Sequence, residues 1–349
     1  MKKVKIALIG CGGIAQLVHL PSIKRLKNVE LVAVCDLYED VAKKVAKKYG
    51  IEKWYTDYNE MFEKEDIDAV INTTWHAAHA KVTIDSANAG KHVFVEKPMA
   101  VTIEECKRMI DACKRNNVKL MIGFMKRFDP SLKWVKEEIN KGSFGDIFLI
   151  NSWYYDTIVH GSYVKGFISE FIKPSKRLLI KPYTPTGERH LDILLNHGIH
   201  HADLLRWIGG DIRSVTSSFK EYNDGRYVST SIIEYKSGAI GYFQLAGTIV
   251  DDWDEGLIVK GTKGSARAYI RFPYFKWRSE VTIYFKDRNE YVSKLFPYRD
   301  MYLEELKHFV SCIISDREPK PDGYDGLKAQ ELIYAIHTSA KEGRKISLE

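Results

Sequence analysis

The feature that most constrains this chain is a glycine turn fed directly by an apolar run. Val4 to Ile9 is short, apolar and rich in β-branched residues, which predicts a buried parallel strand. It runs straight into Gly10-Cys11-Gly12-Gly13-Ile14-Ala15, a G-x-G-x-x-A sequence. In a strand–turn–helix unit this pattern binds a dinucleotide. Gly10 permits the tight turn, Gly12 lets backbone approach a diphosphate, and Ala15 is small enough for helix to pack closely on strand. The diphosphate then meets a helix N-terminus, where unpaired N–H groups and the dipole favour anions. A second strand, Glu30 to Cys35, ends at Asp36, about 20 residues past the glycines, as the pattern requires. A carboxylate there accepts hydrogen bonds from a ribose diol and repels a 2′-phosphate. Leu37 and Tyr38 follow with no arginine beside Asp36, which favours NAD over NADP. The competing reading of Asp36 is an N-cap on a helix over Tyr38–Tyr49.

Strand and helix signals continue to alternate. Ala69–Asn72, His92–Val95 and Val118–Ile122 read as strands. Between them, His79–Ala89 reads as a helix stopped by Gly90, and Thr102 with Glu105 forms a capping box for a helix over 103–116. Such alternation predicts a doubly wound parallel sheet, whose ligands bind at the carboxyl ends of the strands. Gly10, Asp36, Thr74, Lys97 and Gly123 all fall at those ends.

The chain has 349 residues, enough for about two domains without disulfide or metal staples. Its net charge of +7 divides into +4 over residues 1–122 and +3 over the rest, so no basic stripe or tail marks a nucleic-acid binder. The five cysteines, Cys11, Cys35, Cys106, Cys113 and Cys312, are odd in number and widely spaced. That pattern argues for reduced thiols in the cytoplasm, against a disulfide framework, and against a zinc site. The start, Met1 to Cys11, mimics a lipoprotein signal, but its apolar run is too short for one. No segment reaches the ~20 apolar residues of a membrane span.

Taken together, these residues resemble the Gfo/Idh/MocA oxidoreductases, the relatives of glucose-fructose oxidoreductase and inositol dehydrogenase. The resemblance rests on Gly10–Ala15, His19-Leu20-Pro21, Val34-Cys35-Asp36 and the run Gly90-Lys91-His92-Val93-Phe94-Val95-Glu96-Lys97-Pro98. It continues through Gly123 to Pro130, Gly198-Ile199-His200-His201-Ala202-Asp203 and Val259 to Gly264. It implies an α/β Rossmann domain over residues 1–122 and an α+β C-terminal domain over 123–349 with a large open, mostly antiparallel sheet. The final helices are expected to pack back across that junction. β-branched and aromatic runs from Phe148 to Phe285, with turn signals at Asn223-Asp224-Gly225 and Lys236-Ser237-Gly238, support such a sheet on their own terms. A helix capped by Asp129 with Pro130 at its first position, another over about 190–208, and two at about 301–315 and 325–342 complete the reading.

The resemblance also implies hydride transfer between NAD and a secondary alcohol or ketone of a sugar or polyol. The implied cofactor set is Gly10, Gly12, Gly13, Ile14, Asp36, Thr74, Trp75, His76, His79, Glu96, Lys97 and Arg127. His200 is assigned as general base and Lys97 as the cation that binds the reacting oxygen; the reverse assignment stays open. Asn196 stands where many relatives carry aspartate, and on an α-helix it would share a face with His200. It can orient a hydroxyl or the imidazole but cannot stabilise an imidazolium as a carboxylate would. Substrate contacts are expected from Trp153, Tyr155, Arg177 and Asp203. Asp203 serves either His200 or a structural bond. Adjacent histidines on a helix diverge by about 100°, so His200 and His201 are not read as a metal site. The long connection 156–189 is basic, with His160, Tyr163, Lys165, Lys173, Lys176, Arg177, Lys181 and Arg189, and suits either an anionic substrate or oligomer packing. Small-molecule turnover in a homodimer or homotetramer is the leading reading. A nucleotide-binding sensor of the same family, or an NADP-preferring member, is the alternative.

Overall fold

The computed structural model describes residues 3–157, 166, 170–176 and 185–348. The chain divides into two compact units. The first comprises Met1–Phe124, Lys165–Gly187 and Tyr302–Leu327; the second comprises Met125–Val164, Glu188–Met301 and Lys328–Glu349. Two stretches that lie in the expected second domain by sequence position, 165–187 and 302–327, thus belong to the first unit.

The first unit is built on six parallel strands: β1 Val4–Ile9, β2 Val29–Cys35, β3 Lys53–Tyr55, β4 Ala69–Asn72, β5 His92–Val95 and β6 Leu120–Ile122. Their order is β3-β2-β1-β4-β5-β6. The order reverses beside β1, which is where a doubly wound sheet opens a crevice for ligand. Strand β1 pairs with β2 on one side and β4 on the other, so Ile9 stands level with Cys35 and with Asn72. The three strand ends therefore converge. The strands are apolar and covered on both faces, as a parallel sheet demands: Ala7, Leu8, Val34, Ile71 and Phe94 have no exposed area. One face packs Ala7, Ile9, Ala33 and Cys35 against Met61, Ile67 and Val82. The helices follow the sequence signals closely. Thr102 and Glu105 form the full capping box at the head of Ile103–Arg115.

The second unit carries nine strands in the order β14-β13-β12-β11-β7-β10-β9-β8-β15. They are β7 Ile147–Thr157, β8 Ile212–Glu221, β9 Tyr227–Tyr235, β10 Ile240–Ile249, β11 Asp254–Gly261, β12 Gly264–Tyr269, β13 Glu280–Phe285, β14 Glu290–Lys294 and β15 Ile346–Ser347. Neighbours are antiparallel except β7 and β10, which run parallel at the centre. The edge strands β14 and β15 had no clear apolar run to announce them. The expected single helix over 190–208 is broken into Arg189–Ile193, a wider π-type turn Leu194–Gly198, and Ile199–Gly209. Asp129 caps Pro130–Asn140 by accepting from the backbone of Ser131 and Leu132, as expected.

This unit buries ionic groups in pairs. Arg127 donates from Nε to both carboxylate oxygens of Asp203, at 3.1 and 2.9 Å, and from Nη2 at 2.5 Å. A buried pair of this geometry contributes less to stability than its removal by halves subtracts, because the survivor is left as an uncompensated charge. Asp203→Ala is expected to lower unfolding free energy by about 3–5 kcal/mol. Urea denaturation checks this, and a loss under 1 kcal/mol would contradict it.

Candidate functional site: a dinucleotide crevice and two sets of buried polar groups

The crevice begins with the turn after β1. Gly10 has φ +94°, and a Cβ there would stand 2.7 Å from the Thr73 carbonyl and from Thr74 N, so only glycine fits. Gly12 differs: a Cβ there would meet nothing within 4 Å, which is the open approach that a diphosphate needs. The Thr73 hydroxyl donates to the Gly10 carbonyl at 2.7 Å, tying β4 to the turn.

Asp36 holds the other side. Its Oδ2 accepts from Cys11 N at 2.7 Å and its Oδ1 accepts from Tyr38 N at 2.9 Å. It is not the cap of the following helix, a position taken by Tyr38. Burial pushes the Asp36 carboxyl above its ordinary value, although both backbone donors oppose that shift. A cavity of about 550 Å³ lies here, lined by Gly10, Gly12, Gly13, Ile14, Asp36, Thr74, Trp75 and His76 of the expected cofactor set. Its size and apolar lining fit part of a dinucleotide.

Four members of that set do not line this cavity. His79 is fully buried, with Nδ1 2.7 Å from the Pro98 carbonyl and Nε2 3.1 Å from the Thr74 carbonyl. Burial lowers its pKa, and the imidazole acts as a brace between the end of β4 and the Glu-Lys-Pro turn. Glu96 is buried too. Its Oε1 meets His19 Nε2 at 2.6 Å, and its Oε2 accepts from the backbone of Lys97 at 3.0 Å. Burial works against the Glu96 charge, but the His19 contact and the adjacent Lys97 ammonium outweigh it and hold the pKa down. Glu305 completes this cluster, with one ligand atom from each of His19, Glu96 and Glu305 within 4.8 Å of the others. Lys97 itself is partly buried, and that environment lowers its ammonium pKa, opposed by Glu96. Arg127, expected at the cofactor, and Asp203, expected at substrate, pair with each other within the second unit.

The helical segment of the second unit carries His200, which is buried, and Asn196, which is half-buried. Asn196 sits inside the π-type turn Leu194–Gly198, and His200 lies in the first turn of the helix that follows, Ile199–Gly209. Asn196 contacts His197, Nδ2 to Nε2 at 3.2 Å. Trp153 and Tyr155 alternate with Tyr154 along β7 and face the other way. Trp153 Nε1 donates to Asp254 at 2.8 Å, and the Tyr155 hydroxyl donates to Gln244, both within the sheet. Tyr154, passed over in the sequence, faces the helix and packs its ring against His197 and His201 at 5.6 Å. Arg177 lies outside the described residues.

A second group escaped the sequence reading. Lys126 and Glu255 form a buried ion pair, and Glu255 also accepts from the Tyr274 hydroxyl at 2.7 Å and Trp253 Nε1 at 3.1 Å. His201 Nε2 meets the same carboxylate at 2.8 Å, while Nδ1 is bonded to Ser152. Burial, and then the Lys126 charge, push the His201 pKa well down, so His201 is a neutral link and not a switch. The signal was present: Glu255, Leu257 and Val259 share one face of β11, so a carboxylate stood in an inward-facing apolar row.

Because burial raises the Asp36 pKa, any affinity that its charge supplies is present above that value and lost as pH falls through it. Dinucleotide binding should therefore weaken at a higher pH than an ordinary aspartate would cause. Asp36→Ala should cost roughly ten- to a hundredfold in NAD affinity and remove this acid limb. Fluorescence titration across pH tests both, and an unchanged affinity would contradict the assignment.

Comparison with known proteins agrees with this geometry. The family described as "Oxidoreductase family, NAD-binding Rossmann fold" matches residues 4–124, and "Oxidoreductase family, C-terminal alpha/beta domain" matches residues 136–348. The chain is 30% identical to a myo-inositol 2-dehydrogenase of Thermotoga maritima, covering 99% of each. It is 28% identical to the scyllo-inositol 2-dehydrogenase (NAD(+)) of Bacillus subtilis, covering 99% of this chain and 97% of that one. A crystal structure of a probable dehydrogenase from Thermotoga maritima superposes with a TM-score of 0.78 at 27% identity, covering 99% of this chain and 98% of that one. The fold, the crevice and these matches together make the chain a member of the Gfo/Idh/MocA family of oxidoreductases, with an NAD-binding Rossmann domain.

Proposed function

We propose that this protein is an NAD-dependent dehydrogenase of a sugar or polyol, interconverting a secondary alcohol and its ketone. The observation that carries the reading is the crevice at Gly10, Gly12 and Asp36, whose carboxylate favours a ribose diol over a 2′-phosphate. The names of the inositol-acting relatives point to cyclic polyols as the first substrates to try. Bound NAD supplies the hydride acceptor at nicotinamide C4. Lys97 binds the reacting oxygen and stabilises negative charge as it develops. His200 takes the hydroxyl proton as the hydride leaves carbon. Asn196 orients the substrate or its neighbours, and Thr74, Trp75 and His76 contact the cofactor. His79 and Glu96 act through the turn that carries Lys97. The expectation of an anionic substrate rests on the basic connection 156–189, so phosphorylated and carboxylated sugars belong in the panel beside inositols.

The proposed setting is the cytoplasm, supported by five free, buried cysteines. Among the described residues no helix is long and apolar enough to cross a membrane. The proposed assembly is a homo-oligomer joined through the outer face of the nine-stranded sheet. Tyr242 pairs directly with Ile232 on that face, Ile240 lies two residues along it, and Ile232 and Ile240 are 53% and 54% exposed. A contiguous apolar patch of this kind is a docking surface for a matching face. Ile232→Glu with Ile240→Glu should yield monomers in light scattering; an unchanged mass would contradict this assembly.

Catalysis is tested by mixing protein, NAD and the panel and following reduced cofactor. Turnover of at least one polyol is expected, and tight NAD binding without any turnover would favour a sensor. Lys97→Met should lower kcat by roughly 10²–10⁴-fold. As the cation, Lys97 must stay protonated, so oxidation should fall as pH rises through its lowered pKa. Lys97→Arg, whose guanidinium stays charged, should abolish that alkaline fall. A rate that climbs through the same range would make Lys97 the base instead.

A further inference from the structure

Residues 170–176 come from the long basic connection 156–189, and they belong to the first unit. Four hydrogen bonds from three side chains fix them there. Gln16 is 3% exposed, and its side-chain amide holds both backbone polar groups of Ile172: Nε2 donates to the Ile172 carbonyl at 2.9 Å, and Oε1 accepts from Ile172 N at 3.0 Å. The same Nε2 donates to the Cys11 carbonyl inside the glycine turn at 2.8 Å. Lys48 Nζ donates to the Glu170 carbonyl at 2.7 Å, and Asp40 accepts from Ser175 N at 2.9 Å.

Gln16 thus ties the segment and the turn to a single amide group. The result is a wall. Phe171, Ile172 and Pro174 line the same cavity as Gly10, Gly12 and Asp36. A Cβ placed on Gly13 would meet the Phe171 ring at 3.8 Å, so the ring sits over the glycine turn. An apolar ring there excludes water from the anion site and strengthens each backbone N–H directed at it.

We propose that residues 170–176 form a strap that completes the dinucleotide site, with Gln16 as its positioning residue and Phe171 as its outer wall. The inference rests on the reading of this crevice as the NAD site. A dinucleotide seated between turn and strap cannot leave without breaking contacts to Phe171, so the strap acts on the rate of release. Phe171 and the exposed Lys48 lie outside the Asp36 and Lys97 machinery, and the half-buried Asp40 bears on Asp36 through the smallest of the influences on its carboxyl. Their loss removes the wall or its fastening while leaving the turn intact.

The test is stopped-flow displacement of NADH from wild type, Phe171→Ala, Gln16→Ala and the surface double variant Lys48→Ala/Asp40→Asn. Thermal melts and far-UV circular dichroism are run alongside to confirm folding. Wild type should bind NADH. Phe171→Ala and Gln16→Ala should release it about tenfold faster or more, and the double variant should fall between, with association rates nearly constant. Gln16→Ala alone is ambiguous because it also loosens Cys11, so the Phe171 and double variants carry the decision. Folded variants that release NADH at the wild-type rate, or more slowly, overturn the strap while leaving the NAD site standing. Failure of wild type to bind NADH overturns both.

Discussion

The crowding at Gly10 is the constraint on which the rest depends. With β1 lying between β2 and β4, the chain leaving Ile9 must turn directly against Thr73 and Thr74. Only a residue without a side chain, at positive φ, can do so. The turn then presents the Cys11 backbone N–H to Asp36 at the end of β2, and the Thr73 hydroxyl closes on Gly10 from β4. Three strand ends are bound into one rim before any ligand arrives. The crevice, its preference for a ribose diol, and the seat for the strap all follow from this.

The second theme is how buried charge is handled. Each unit hides titratable groups and pairs several of them locally. Glu96 leans on His19, and His79 spans two carbonyls, so the turn carrying Lys97 is held from behind by groups that do not line the cofactor cavity. In the second unit Glu255 gathers Lys126, His201, Tyr274 and Trp253. Such networks are costly unless complete, and they favour a single arrangement of side chains. They explain why residues that look chemically active in the sequence turn out to support others.

What was legible in the sequence divides along this line. The parallel sheet was readable because its strands are apolar throughout and end in glycine or polar residues at fixed spacing. Gly10, Gly12 and Asp36 were readable because backbone sterics and one carboxylate position define the motif. The buried partners of His79, Glu96 and Arg127 were not readable, because a polar residue near a ligand motif looks the same in sequence whether it faces ligand or core. The π-type turn that holds Asn196, just before the helix that holds His200, left no trace in the apolar spacing of the sequence. Trp153 and Tyr155 were chosen for their type, whereas alternation along β7 turns Tyr154, not them, toward the helix. The contact of 170–176 with Gln16 joins residues 156 apart, and no local pattern announces that.

The most direct measurement of the central claim is the ratio of NAD to NADP affinity in the wild-type protein, by calorimetric titration at neutral pH. With Asp36 ionised at the ribose position and no arginine beside it, NAD should bind tighter by at least roughly tenfold. Equal affinities, or a preference for NADP, would mean that the carboxylate does not face the adenosine ribose, and the assignment of the crevice would fail.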